Sequence, residues 1–238
     1  MEIPAEIWQL ILSCSEFLTQ IKLRCVCKMF HKRLEVHIFM GWRYTDLLTD
    51  DILRNYSFVK KLDANYNPRI TSVNHMSRLE ILYAVGRCGI DNKGITNVNL
   101  ELLHADFNQK ITNVNHMSRL KILFAVGDCG IDDIGIRNVN LKLLYADSNP
   151  KITNVNHMTR LKILCAGNNC GIDDKGIADV NLKELDADSN PKITNVNHMN
   201  RLESLNAENN CGIDDKGIAN LKLKELCADS NPKITKLL

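Results

Sequence analysis

Four histidines, His75, His116, His157 and His198, recur at a constant offset, and four cysteines, Cys88, Cys129, Cys170 and Cys211, recur at the same one. Imidazole and thiolate are common zinc ligands, so these columns first raise a metal centre. Spacing argues against one. If successive units stack as strands about 4.8 Å apart, residues two units apart are separated by roughly 10 Å. Two histidines on one zinc need their nitrogens within about 4 Å of each other. The same separation forbids disulfides within the cysteine column. Cys25 and Cys27 have the wrong spacing for a zinc knuckle. A third column, Asp106, Asp147, Asp188, Glu208 and Asp229, forms an acidic edge, which reads as a site for a basic partner or as a solvated rim. No Gly-rich phosphate loop, H-E-x-x-H or G-x-S-x-G occurs. The expectation is a non-catalytic protein without metal or cofactor.

These columns exist because the chain repeats itself. The segment Ile111-Thr112-Asn113-Val114-Asn115-His116-Met117 returns at 152–158 and 193–199, with a variant at 70–76. Each of these blocks contains the pattern L-x-x-L-x-A-x-x-(N)-x-x-I twice, so every block divides into two nearly equal units. Units begin at Val59, Leu79, Leu100, Leu120, Leu141, Leu161, Leu182 and Leu202, with a partial ninth at Leu223. This pattern resembles the leucine-rich repeat, whose consensus is L-x-x-L-x-L-x-x-N. Residues at positions four and six lie two apart, so they share the buried face of a short strand, while positions three, five and seven share the other. One unit cannot bury its own Leu, Ala and Ile, so the units must stack. Asn67, Asn108, Asn149, Asn169, Asn190, Asn210 and Asn231 occupy position nine, where an amide can satisfy buried backbone groups of a turn. Arg87 and Asp128 break that column, which predicts looser turns there. Ala at position six, where the family has Leu, predicts a thin core. The units lie at the short end of the leucine-rich-repeat range. They leave room only for 3₁₀ turns or irregular segments opposite the strands, with Val73, Met76 and their equivalents pointing inward.

The N-terminal part differs. Ile7, Leu10, Ile11 and Cys14 follow helical spacing after Pro4, and Leu18, Ile21, Leu23, Val26, Phe30 and Leu34 extend a second helical pattern. Ile3-Pro4-Ala5-Glu6-Ile7, Ile11-Leu12-Ser13-Cys14 and Leu23-Arg24-Cys25-Val26-Cys27-Lys28-Met29-Phe30 resemble an F-box, with departures at Ser15 and Leu18. That resemblance implies binding to a Skp-type adaptor, and through it to a cullin–RING ubiquitin ligase, with the repeats holding an unknown protein substrate. Pro4, Ile7, Trp8, Ile11, Leu12, Val26 and Phe30 are then the adaptor-contacting candidates; their other reading is the helical module's own core. The expected architecture is an α + α/β solenoid: a helical F-box module at 1–45, a connecting segment at 46–58, and a leucine-rich-repeat horseshoe at 59–238 with a parallel concave sheet. The alternative is a protein-binding scaffold, without any ligase role, whose helical segment caps the repeats. A ligase domain with its own catalytic cysteine, carried by some leucine-rich-repeat proteins, needs far more chain than lies ahead of Val59.

The substrate surface is expected on the concave face. Ile81, Leu102, Ile122, Leu143 and Ile163 at position three and Tyr83, His104, Phe124 and Tyr145 at position five form two adjacent apolar columns. Later units turn polar and acidic there, with Glu184, Asp186 and Glu225. An apolar patch with central aromatics fits a protein partner, although β-branched and aromatic residues also favour strands for their own sake. Net charge is +2, with 24% charged and 45% hydrophobic residues. This balance suggests neither a nucleic-acid footprint nor disorder, and no apolar run is long enough to span a membrane. Nine cysteines and the absence of a basic leader predict free thiols in the cytoplasm or nucleus. The near-identical blocks resemble repeat-rich F-box proteins of large DNA viruses, which would place the protein in a host cell. The last unit is incomplete at Leu238, which predicts fraying and faster hydrogen exchange there.

Overall fold

A leucine at position four and an alanine at position six share one face only if the chain between them is extended. In the computed structural model of the chain it is extended in every repeat. The structure describes residues 4–13, 19, 20, 22, 26, 37–40 and 47–235. They belong to two compact modules, Met1–Leu100 and Glu101–Leu238.

In the first module β1 (Ile38–Phe39), β2 (Lys61–Asp63) and β3 (Ile81–Tyr83) pair in parallel, with Phe39 opposite Leu62 and Leu62 opposite Leu82. A helix α1 spans Ala5–Ser13 and a single helical turn α2 spans Asp50–Leu53. The α2 turn is capped by Thr49, whose side chain accepts from the Ile52 amide, and Asp50 and Asp51 in its first turn suit the helix dipole. The segment 46–58 does more than connect. Asp50 accepts from the Thr71 amide at 2.8 Å, as Asp133, Asp174 and Asp215 accept from Thr153, Thr194 and Thr235 farther along. Asn67 donates to Leu48 O at 2.9 Å. So a strand–turn unit precedes Val59. The leucine pattern misses it because fully buried Phe39, edge-on to Tyr56 at 4.8 Å, stands where the repeats carry Leu.

The second module contains β4 (Leu102–His104), β5 (Ile122–Phe124), β6 (Leu143–Tyr145), β7 (Ile163–Cys165), β8 (Glu184–Asp186), β9 (Ser204–Asn206) and β10 (Glu225–Cys227). All pair in parallel in chain order, with Leu103, Leu123, Leu144, Leu164, Leu185 and Leu205 in one line. Those leucines and the alanines two residues on are buried, and Ile111, Val114, Met117 and their copies close the core from behind. Removing that apolar surface from water, at about 25 cal/mol per Å², is the main force holding neighbouring repeats together. Leu226 of β10 is only half-buried. Among the described residues of the second module, one α-helical turn lies opposite the strands, α3 (Asp133–Ile136), capped by Asp132, whose carboxylate accepts from the Gly135 amide at 2.8 Å. Among the described residues no helix is long and apolar enough to cross a membrane.

The two repeats of each block turn differently. Asn149, Asn190 and Asn231 are buried, and each amide reaches back to two carbonyls of the preceding repeat. Asn190, for example, donates to Ala166 O at 2.7 Å and Ile172 O at 3.2 Å while its Oδ1 accepts from the Lys192 amide at 3.0 Å. Asn169 and Asn210, expected in the same role, are exposed. In their repeats the buried slot lies one residue later and holds Cys170 or Cys211. The glycine after that cysteine donates its amide to the preceding repeat, Gly171 to Asn149 O at 3.0 Å. Cys88 and Cys129 fill the same slot with no exposure, so the turns at Arg87 and Asp128 are not looser than the others.

Position eight adopts left-handed backbone in these turns, at Phe107 (φ 57°) and Gly127 (φ 68°) as at Ser148 and Asn168. A Cβ on Gly127 would collide with the Phe107 ring. The sequence respects this: an aromatic at 66 or 107 is followed one repeat later by Gly86 or Gly127, while Ser148 and Ser189 are followed by Asn168 and Asn209.

Candidate functional site

The strand pleat sends positions three and five of each repeat to the open face of the sheet. In the second module Leu102, Ile122, Leu143 and Ile163 form one half-buried column, and His104, Phe124, Tyr145 and Cys165 form the next. Strand spacing brings the rings of neighbouring repeats into face contact, tilted by 32° between His104 and Phe124 and nearly parallel between Phe124 and Tyr145. The His104 and Phe124 centroids are 4.5 Å apart, and Phe124 lies on Tyr145 at 4.3 Å with ring planes 9° apart. The stack covers ring faces and leaves ring edges toward solvent. Along the same columns Glu184, Ser204 and Glu225, then Asp186, Asn206 and Cys227, replace the apolar residues. The two remaining residues of the expected surface, Ile81 and Tyr83, are half-buried in β3 of the first module, beside Lys61 and Asp63 of β2.

The acidic edge is part of the scaffold. Asp106 accepts from the Val126 amide and Asp147 from the Gly167 amide, each at 2.8 Å, so these carboxylates fasten one repeat to the next. Asp106 also accepts from His104 Nε2 at 2.6 Å. Burial pushes the Asp147 carboxyl above its ordinary range, and the nearby charges of Asp186 and Asp106 add to this. Burial likewise raises the Tyr145 hydroxyl, helped by Cys165 and Asp147.

The opposite edge, at position two, carries Lys121, Lys142, Lys162, Lys183 and Lys224, with Glu101 and Glu203 among them. The sequence shows this column when position two is read down the repeats, but one lysine per repeat looks like ordinary surface. Glu101 is gripped by Arg119 at 2.7 Å and Lys121 at 2.8 Å, and Glu203 by Lys224 at 2.9 Å and Lys183 at 3.4 Å. Hydrogen bonds from Lys121 and then Arg119 hold the Glu101 carboxyl below its usual range; for Glu203 the Lys224 bond does most.

The histidine column works as a set of backbone caps. His157 and His198 Nε2 lie 3.1 and 3.0 Å from the carbonyls of Ile136 and Ile177, and in the first module His75 Nε2 lies 2.8 Å from Leu53 O. A carbonyl only accepts, which assigns the Nε2–H tautomer. Among the described residues no group of three His, Cys, Asp or Glu side chains is placed to hold a metal ion. Cys88, Cys129, Cys165, Cys170, Cys211 and Cys227 are free thiols. Burial pushes Cys129 and Cys170 up to about 11 and Cys165 to about 12, the last helped by the charges of Asp147, Asp186 and Glu184. None of these three is a thiolate at neutral pH, so none offers a ready nucleophile.

Of the adaptor-contacting candidates, Pro4, Ile7, Ile11 and Val26 are exposed and Trp8 is half-buried. Leu12 is fully buried, because it lies on the inward side of α1, and so it belongs to the core. Phe30 lies outside the described residues, as does most of the second helical pattern.

No family model matches the chain. No curated protein matches it either. Among solved structures it is similar to the functional domain of InlJ from Listeria monocytogenes, described as including a cysteine ladder, with TM-score 0.44 and 19% identity over 78% of this chain and 47% of that one. It is also similar to an internalin, InlF, from Listeria monocytogenes strain 4b F2365, with TM-score 0.43 and 15% identity over 77% of this chain and 67% of that one. The chain thus spans about half the length of the first of these. The leucine-rich-repeat architecture rests on the strand register and the burial pattern given above.

Proposed function

We propose that the protein is a binding scaffold whose second module holds a protein partner on the open face of its sheet. One observation carries the reading. Leu102, Ile122, Leu143 and Ile163 run beside the His104–Phe124–Tyr145 stack, and all of them keep part of their surface in solvent. A contiguous apolar face with central aromatic rings, rimmed by charge, has the composition of a protein-binding surface. Tyrosine and phenylalanine fixed by stacking offer contact area at little entropic cost. The experiment is affinity capture with the full chain and with Phe124→Asp, Tyr145→Asp and, as a control on the opposite side, Ile134→Asp. Partners lost with the first two and kept with the third support the reading. Capture that is unaffected by the first two overturns it.

The finer reading is that the chain serves as the substrate-recognition subunit of a Skp–cullin–F-box type ubiquitin ligase, in the cytoplasm or nucleus, with no covalent step of its own. Its support is the match at residues 3–30, together with the exposure of Ile7 (47%) and Ile11 (41%) on α1. Exposed isoleucines on a short amphipathic helix are suited to a partner's groove. Co-purification of the full chain with a Skp-type adaptor tests it. Binding that Ile7→Asp and Ile11→Asp abolish without lowering the melting temperature supports the ligase role. No binding by the folded wild type removes that role and leaves the scaffold.

A further inference from the structure

The position-two edge of the second module opens into a cleft of about 410 Å³ whose charged lining is wholly cationic: Lys142, Arg160, Lys162, Lys183 and Arg201. We propose that this cleft receives a row of carboxylates from an acidic peptide segment of the bound protein. The proposal rests on the protein-binding reading of the same sheet and gives that partner a chemistry.

The molecule itself shows what the edge binds. Two repeats before the cleft, Glu101 sits between Arg119 and Lys121, and at its far side Glu203 sits between Lys183 and Lys224. Each carboxylate bridges two cations of neighbouring repeats. At positions 142 and 162 the repeat places lysine where those glutamates stand. Among the described residues no carboxylate lies within ion-pair distance of Lys142, Arg160, Lys162 or Arg201; only Lys183 has one, Glu203. The backbone positions that carry Lys142, Lys162 and Lys183 are stacked at the strand spacing of about 4.8 Å, which sets the cations out along a row. That arrangement suits several carboxylates in a row better than one compact dianion.

The cleft is held in place. Asn140 Oδ1 accepts from the Arg160 amide at 2.9 Å, and its Nδ2 donates to the Thr159 hydroxyl at 3.0 Å. The Thr159 O–H is then left to donate toward a ligand. Asn181 Oδ1 accepts from the Arg201 amide at 3.1 Å one block later. Both arginines therefore leave a fixed backbone, which lowers the cost of ordering them on a ligand.

Position also limits the ligand. Lys142 and Lys162 directly precede Leu143 and Ile163 of the apolar column. Three residues of extended chain, about 10 Å, separate Lys142 from Tyr145. An extended peptide with glutamates in the cleft reaches the aromatic stack with an apolar residue about three positions away. Asp106, Asp147 and Asp186 across the sheet disfavour a nucleic acid or an anionic membrane, which would carry phosphates over both edges. A peptide can confine its negative charge to one end.

The test is fluorescence anisotropy with the full chain and a labelled synthetic peptide carrying a run of glutamates followed by leucine and tyrosine. Its counterpart has glutamines for the glutamates. The glutamate peptide should bind at least about tenfold more tightly, and its affinity should fall with added salt. The Lys142→Glu/Lys162→Glu pair should weaken it at least about tenfold, Lys142→Gln/Lys162→Gln less so, and Lys175→Glu on the opposite side not at all. Melting curves confirm that each variant is folded. Equal binding of the two peptides, or equal loss with Lys175→Glu, overturns the proposal. So does tighter binding of single-stranded DNA or phosphatidylserine vesicles, or self-association abolished by the same lysine pair. If Phe124→Asp abolishes peptide binding while the lysine pair has no effect, the cleft fails and the open face stands. If only the lysine pair matters, the cleft stands and the open-face reading fails.

Discussion

The inner turns and the open face of the second module obey opposite rules. In the turns the same side chain returns copy after copy: Asn149, Asn190 and Asn231 make the same pair of bonds, and His157 and His198 reach equivalent carbonyls. On the open face the fifth position runs through His104, Phe124, Tyr145, Cys165, Asp186, Asn206 and Cys227. The turns leave little choice, because a buried carbonyl must find a donor and only certain side chains reach it. The strand face constrains only shape and β-propensity, so its chemistry is free to vary from repeat to repeat. Stability is thus written in the repeated columns and recognition in the varied ones.

Alkaline titration should expose the hidden side most strongly. The thiols Cys129 and Cys170 ionise near 9.0 in an unfolded chain and near 11 when folded, because burial penalises the thiolate. A raised native pKa gives stability that is complete below pH 9 and is lost as pH climbs through about 11. Each of these thiols should account for a loss on the order of 2 kcal/mol. Urea unfolding at stepped pH measures this, and Cys170→Ala should flatten the decline without abolishing it.

Next, Asn190→Ala removes two buried donors and one acceptor and should cost about 3 kcal/mol in chemical denaturation. The same change at exposed Asn210 should cost less than about 0.5 kcal/mol. Equal losses would break the distinction between the two kinds of turn.

A smaller effect separates Gly127 from its repeat-mates. Gly127→Asn should cost about 2 kcal/mol, because the new side chain meets the Phe107 ring. Adding Phe107→Ser restores the Ser–Asn pair that positions 148 and 168 already use, and should recover most of the loss. The smallest stability effect is expected on the open face: Phe124→Ser should cost about 1 kcal/mol of stacking and burial while abolishing partner binding.

How far the sequence could be read follows the same division. Leu103, Ala105 and Ile111 were legible because their burial follows directly from strand alternation and stacking. The asparagine column was legible except at Asn169 and Asn210, which are exposed. Asn169 and Asn190 hold the same position in the pattern, but the Cys–Gly turn moves the buried slot by one residue, and no spacing rule encodes that shift. Ile38–Phe39 went unseen because a phenylalanine filled the leucine's place. On the site, the apolar columns could be read from strand alternation. Asp106 and Asp147 looked like a charged rim because their backbone partners lie in the next repeat. Of the cationic cleft only the lysine column is legible, because the cleft also needs Arg160 and Arg201 brought beside it by stacking of three repeats.

Whether the open face of the second module holds a protein is decided by site-specific photo-crosslinking. A benzophenone amino acid is placed at Phe124 in one sample and at Ile134, on the opposite side, in another. A discrete crosslinked partner is expected from position 124 and none from position 134. Crosslinks from 134 alone, or equally from both, would contradict binding on the open face.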